Sequence, residues 1–164
     1  MADDKKPTEL LKDEHQGVLQ KLAALQRVIG QLDNKDEISA ELKELAEFFK
    51  TEFWIHFTKE EEALFPEIGT FIPRESGPTG MMLVEHEELR STNTVIQQAV
   101  DAYLRNSGGS DVKGTIQENG NRFIEVLRQH IDKEDNILFM MADMHFDQAQ
   151  IDKVARLFHE IETR

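Results

Sequence analysis

The sequence predicts an all-α fold: an up-down-up-down four-helix bundle with a short additional C-terminal helix. Three observations carry this expectation. Four long stretches repeat apolar residues at spacings of three, four and seven, the mark of a helix with one buried face. The polar patch 33–36 leaves only a short loop between the first two stretches, which makes the helices on either side antiparallel neighbours. The 164-residue length suits one domain with its own core, the bundle over about 8–142 and the terminal helix over about 147–162.

The first helix is expected from Thr8 to about Leu32, with Leu11, Val18, Leu22, Leu25, Ile29 and Leu32 on one stripe and His15 among them. Asn34, with Glu37 three residues on, provides a capping pair for the second. That helix is expected from Glu37 to Phe65, with Leu42, Leu45, Phe49, Phe53, His56 and Glu60 facing inward, and Pro66 is expected to end it. Gly69, Pro73, Gly77, Pro78 and Gly80 make the following segment the main loop and divide the chain into halves. The third helix starts near Pro78 and carries Met82, His86, Leu89, Asn93, Ile96, Val100 and Tyr103 inward until Asn106-Ser107-Gly108-Gly109 stops it. The fourth, from about Ser110 to Ala142, directs Ile116, Phe123, Leu127, His130, Glu134, Ile137 and Met141 inward, with Gly114 and Gly120 either allowing close packing or fraying its start. Asp147 opens the terminal helix, whose apolar positions are Ile151, Val154, Leu157, Phe158 and Ile161.

Composition narrows the function. With 32 acidic against 19 basic residues the net charge is −13, which repels phosphate backbones and anionic lipid, so neither nucleic acid nor a membrane is an expected partner. The polar N-terminus has no apolar run behind it and no apolar segment reaches about 18 residues, so a soluble, cytoplasmic protein is expected. The absence of cysteine excludes disulfides, thiolate metal sites and thiol nucleophiles. No Gly-rich phosphate loop or nucleophile elbow is present.

What the chain does contain is a duplicated motif. His-x-x-Lys-Glu occurs at 56–60 and at 130–134, each copy followed by Leu-Phe. Four residues apart on a helix, His and Glu lie nearly in line and address the same place. Counted from the connecting loops, His15, His56, His86 and His130 lie 17, 19, 20 and 20 residues away. At 1.5 Å per residue this puts all four in one layer, roughly 25 to 30 Å from the connected ends. The two halves repeat, His15 matching His86 and His56 matching His130, at offsets of 71 and 74 residues.

Four imidazoles and two carboxylates exceed the four ligands of one zinc and suit two metals, with Glu60 and Glu134 reaching across to bridge them. Buried without a metal, such groups would cost about 1 to 3 kcal/mol each. The Glu-x-x-His pattern of ferritin-like bundles is absent, since Lys12, Phe53, Leu83 and Leu127 stand three residues before the histidines. Glu61, Glu62 and Asp135 are expected on a solvated face, with a Glu next to the layer as the alternative occupant of an open metal position; Arg90 and Lys133 are expected in surface ion pairs, and Asn93 either in a structural role or supporting a ligand. Glu14 and Glu85 either orient histidines or face water. His145 and His159 are expected to be non-ligands, and Trp54, Phe53, Phe57 and Phe123 to surround the layer.

The lone His15, His-Phe-x-x-Glu-Glu with Leu-Phe-Pro at 56–66, Glu-His-x-x-Leu-Arg at 85–90 and His-Ile-x-Lys-Glu at 130–134 together resemble the hemerythrin-like (HHE) domains. This resemblance implies that His15, His56, Glu60, His86, His130 and Glu134 hold two iron ions with a bridging oxo, hydroxo or water. It also implies a ligand such as O2, NO or peroxide. Oxygen-carrying hemerythrins have a second His four residues after the third-helix His and an Asp in the last motif, where this chain has Arg90 and Glu134. One histidine fewer leaves iron more open, so binding or sensing of O2, NO or iron is expected ahead of reversible oxygen storage. The alternatives are a diiron enzyme acting on peroxide or NO and a structural bundle with adventitious metal.

Overall fold

The computed structural model describes residues 5–75 and 77–164. Met1 to Asp4 of the polar N-terminal run and Ser76 of the main loop lie outside these. All regular structure among the described residues is helical, and no helix is long and apolar enough to cross a membrane.

Helix α1 (Pro7–Ile29) opens on a proline, whose missing N–H is not needed in a first turn, and buries Leu11, His15, Val18, Leu22, Leu25 and Ile29. The helix stops short of the expected Leu32, which is buried all the same. Before α2 (Lys35–Lys50), the Asn34 side chain makes no capping hydrogen bond; its backbone carbonyl accepts from the Glu37 N–H at 3.0 Å instead.

The unbroken second helix expected over 37–65 is corrected at three points. Thr51 leaves the helical region (φ −123°, ψ −79°) and separates α2 from α3 (Glu52–Lys59). Its N–H and its Oγ1 both bond the Glu47 carbonyl, at 3.1 and 2.8 Å. The Phe49 carbonyl is taken by Trp54 Nε1 (2.8 Å) and Asn93 Nδ2 (3.0 Å), which gives Asn93 the structural one of its two readings. Farther on, Glu60–Leu64 form a π-helical turn closed by i→i+5 bonds. Pro66 does not end the path either, because it falls in the first turn of α4 (Phe65–Ile68), where no N–H is required of it.

The second half repeats the design. Helix α5 (Pro78–Leu104) starts where expected and gives way to a turn through Asn106 (φ 58°), Gly108 (φ 91°) and Gly109 (φ 75°). Helix α6 (Val112–Lys133) leads into a second π turn, Glu134–Leu138, and then α7 (Phe139–His145). Helix α8 (Gln148–Glu162) carries a complete capping box: Asp147 Oδ1 accepts from the Gln150 N–H at 2.8 Å, and Gln150 Oε1 accepts from the Asp147 N–H at 3.0 Å.

Helix α1 packs on α2 and α6, and α5 packs on the same two, a closed ring of neighbours consistent with the expected bundle. Helix α8 lies across α1, α3 and the first π turn. The apolar interior forms two clusters, one containing Val18, Phe53, Phe57, Leu89, Leu127 and Ile131, the other Leu11, Ala63, Leu64, Met82, Leu138 and Phe139. Along each long path the chain crosses from one cluster to the other through a buried polar residue: His15, His56 and Glu60, His86, or His130 and Glu134. A single polar layer therefore divides the core.

The two glycines at the start of α6 differ. A Cβ on Gly120 would stand 3.0 Å from Ile29 Cδ1, whereas one on Gly114 would meet nothing within 4 Å. Gly120→Leu should therefore lower stability by about 1 to 3 kcal/mol through overpacking. Gly114→Ala should raise it by up to about 1 kcal/mol through helix propensity. Urea unfolding of the two variants checks both signs.

Candidate metal centre

The six residues picked out by the duplicated motif and by counting from the loops meet in that layer, each no more than 4 % exposed. His15 comes from α1, His56 from the end of α3, His86 from α5 and His130 from the last turn of α6; Glu60 and Glu134 each open a π turn. His15 Nε2 faces His56 Nε2 at 2.9 Å, and His86 Nε2 faces His130 Nε2 at 3.1 Å. Glu60 Oε1 lies 3.5 Å from the Nε2 atoms of both His56 and His86. Glu134 Oε1 lies 3.3 Å from His15 Nε2 and 3.2 Å from His130 Nε2. Two groups of four result, His15-His56-Glu60-Glu134 and Glu60-His86-His130-Glu134, each with donor atoms within 4.8 Å of one another and each able to hold a metal ion. They share both carboxylates.

Every histidine of the layer is oriented through its other nitrogen. His56 Nδ1 donates to Glu14 Oε1 (2.9 Å) and His130 Nδ1 to Glu85 Oε1 (2.8 Å), which decides the two readings left open for those glutamates. His15 Nδ1 donates to Asp135 Oδ1 (2.7 Å) and His86 Nδ1 to Glu61 Oε2 (2.6 Å). Glu61 and Asp135 were expected on a solvated face, and the π turns explain why they are not. A turn closed by i→i+5 bonds rotates less per residue than an α-helix, so the residue after each layer glutamate stays close enough to serve a histidine. Strict 100° steps hide this, although the repeat held a usable signal: Glu14 matches Glu85, and Glu61 matches Asp135, at the same 71 and 74 offsets.

Cations hold these carboxylates in turn. Arg90 Nη2 donates to both oxygens of Glu61 (3.0 and 2.8 Å) and Nη1 bonds Glu87, so the position where oxygen carriers have histidine serves here to fix the partner of His86. Lys133 pairs with Glu85, as expected of an ion-pair member. Phe57 stacks on His86 with ring centroids 3.7 Å apart, and Phe139, not singled out from the sequence, stacks on His15 at 5.6 Å. Phe53 and Trp54 pack against Phe57, while Phe123 packs on Phe49 and Phe53 one step farther away. His145 stacks on Phe71 and His159 is exposed, both outside the two groups. A cavity of about 340 Å³, lined in part by Gly17, Val18, Phe48 and Phe53, reaches Glu14 and His56.

Residues 6–142 match the family described as Hemerythrin HHE cation binding domain. The chain belongs to this family. It is also similar to the iron-sulfur cluster repair proteins YtfE of Yersinia pestis (strain Pestoides F) and Yersinia pseudotuberculosis (serotype O:1b, strain IP 31758). Each is 32% identical over 107 residues, covering 65% of this chain and 45% of the relative. The chain thus matches less than half the length of these curated relatives.

The donor set of this HHE domain fits a cation on two grounds. With each Nδ1–H committed to a carboxylate, the Nε2 atoms of neutral rings confront one another as bare acceptors. Both oxygens of Glu60 and both of Glu134 are buried without a hydrogen-bond partner. Protons are one way to relieve this convergence. Burial pushes Glu60 well above the usual carboxylate range, and the charge of Glu134 adds to it. Burial acts the same way on Glu134, but the positive charge of His130 prevails and holds Glu134 well below that range. His130, pressed down by burial, is lifted to about 9 by Glu134 and Glu85, while its neighbour His86 is lowered by burial and by the charge on His130. His15 and His56 divide in the same sense, His15 raised through Asp135 and Glu134 against burial, His56 lowered by burial and by His15. The two members of each close pair are thus driven apart in proton affinity. A divalent cation in each group is the other way to satisfy the same acceptors.

Three supporting carboxylates create an acid limit. Burial raises Glu14 and Glu61, but hydrogen bonds from His56 and Lys59, and from His86 and Arg90, outweigh it; for Glu85 the hydrogen bond from His130 leads. All three lie below their ordinary 4.5 in the folded chain. Their stabilisation is therefore fully present above about pH 4.5 and is lost as pH falls through the lower folded-state values. Urea midpoints of chelator-treated protein should fall steeply below that pH, and Glu85→Gln should flatten the fall.

Proposed function

We propose that this chain is a non-haem diiron protein built as a single up-down-up-down four-helix HHE domain, and that it binds or senses a small diatomic ligand, O2 or NO. The observation that carries this reading is the sharing of both buried carboxylates by two adjacent groups of donors. In this reading His15 and His56 hold one iron, His86 and His130 the other, and Glu60 and Glu134 bridge them. Bound iron supplies affinity for diatomic ligands and one-electron chemistry. The chain's own part is to hold the imidazoles through four carboxylates, to keep bulk water away with Phe57, Phe65 and Phe139, and to leave a partly apolar cavity beside His56 through which an uncharged molecule can approach. No further histidine follows His86 by one turn, and Arg90 is held in its ion pairs, so among the described residues the donors of the two groups number six.

A second reading draws on the curated relatives, whose name is iron-sulfur cluster repair protein. Such a role would use the same iron centre. Recovery of activity in an oxidatively damaged iron-sulfur enzyme, faster with this chain than with equimolar free Fe(II), would favour repair. Steady consumption of peroxide or NO beyond the rate of free iron would favour an enzyme acting on those molecules.

Loaded anaerobically with Fe(II) and desalted, the chain should retain two irons, and His86→Ala should retain about one. Fewer than one iron in the unaltered chain would contradict the reading. Loading should also release protons, because His130, raised to about 9, holds one near neutral pH and a ligand must give it up. Calorimetric binding heats should accordingly vary with the ionisation enthalpy of the buffer at pH 7.

A further inference from the structure

The lysines of the two His-x-x-Lys-Glu motifs occupy equivalent positions in sequence but not in space. Lys133 pairs with Glu85, and its side chain is 34 % exposed. Lys59 is buried, at 4 % exposure, an unusual place for a lysine unless its charge is fully matched. Its Nζ donates to Glu14 Oε2 at 2.7 Å and pairs with Glu162 Oε1 at 2.5 Å, and it lies 5.8 Å from the ring centroid of Phe158. Glu162 and Phe158 both belong to α8. The other oxygen of Glu14 receives the Nδ1–H of His56. A continuous path therefore runs from the end of α8 through Lys59 and Glu14 to His56, while among the described residues Lys133 has no carboxylate beyond Glu85.

Glu14 is the most exposed link between Lys59 and His56. Its side chain is 36 % exposed and borders the cavity beside His56, so without Lys59 it could turn to water and leave Nδ1 unheld. Partners that orient a ligating histidine typically change metal affinity by about 10- to 100-fold when removed. We propose that Lys59 is a positioning residue that couples the docking of α8, through Glu14, to His56, so that Lys59 ties cation binding at the His15-His56 half of the layer to α8, a link that Lys133 does not make at the His86-His130 half. This inference rests on the two-metal reading above, but its first link can be read on the protein without metal.

The test uses the full chain and its Lys59→Met, Glu162→Ala and Lys133→Met variants. Methionine keeps most of the volume of lysine at position 59, and Glu162 is half exposed at a helix end, so one variant can stand for the other if either folds poorly. Co(II) serves as the probe, being redox-stable and coloured when bound. Lys59→Met and Glu162→Ala should each weaken one of two binding events about tenfold or more and leave the other unchanged, and Lys133→Met should spare the event they affect. In chelator-treated protein, nitrogen-15 spectra should show the His56 Nδ1–H proton broadened or lost in Lys59→Met while those of His86 and His130 persist. Two unchanged binding events together with an intact His56 Nδ1–H would overturn the coupling and leave the two-metal reading standing. Equal weakening of both events would reduce Lys59 to a general stabiliser and overturn it too. Fewer than two events in the unaltered chain would instead remove the two-metal reading, and the His56 proton would then decide the link from α8.

Discussion

The structure depends on the convergence of acceptors in its middle. Four imidazole Nε2 atoms and four carboxylate oxygens are brought together from residues no more than 4 % exposed, in a layer with apolar packing on both sides. Such a set is costly to bury unless something positive occupies its centre. The remaining features can be read as ways of keeping it in place: a carboxylate behind each imidazole, a cation behind three of those carboxylates, and aromatic rings laid over the histidines. The divided core follows from the same constraint, because each long path must pass from one apolar cluster to the other through the layer.

Much of this was legible in the sequence. Helical spacing of Leu11, Val18, Leu22 and Leu25 located α1, and counting residues from the loops placed His15, His56, His86 and His130 at one depth, because rise per residue is nearly constant along a helix. The duplicated His-x-x-Lys-Glu pointed to Glu60 and Glu134 for a related reason: a four-residue spacing holds two side chains in line. What was hidden lay where the backbone departs from the ideal helix. Glu61 and Asp135 face their histidines only because π turns begin at the residues before them, and no apolar period reports a π turn. The interruption at Thr51 leaves the inward face of Phe49 and Phe53 continuous, so periodicity passed over it. The burial of Lys59 was invisible for another reason, since it depends on where α8 is laid down and not on the helix that carries the lysine.

The pseudo-repeat also shows how two similar halves come to differ. His15 and His86 each follow a glutamate that orients the histidine of the neighbouring helix, and each layer glutamate precedes an acidic residue that orients the other. Beyond that shell the halves separate. Glu61 is clamped by Arg90, whereas Asp135 has no such arginine among the described residues. Lys59 is enclosed by α8 and Lys133 is open to water. The two halves have the layer in common, and these outer differences give each half its own surroundings.

The central claim is that two cations sit side by side between the same two carboxylates. Anomalous diffraction at the iron edge from crystals of the iron-loaded chain tests it most directly. The account predicts two peaks, one near His15 and His56 and one near His86 and His130, each in contact with both Glu60 and Glu134. A single peak, or iron bound away from this layer, would contradict it.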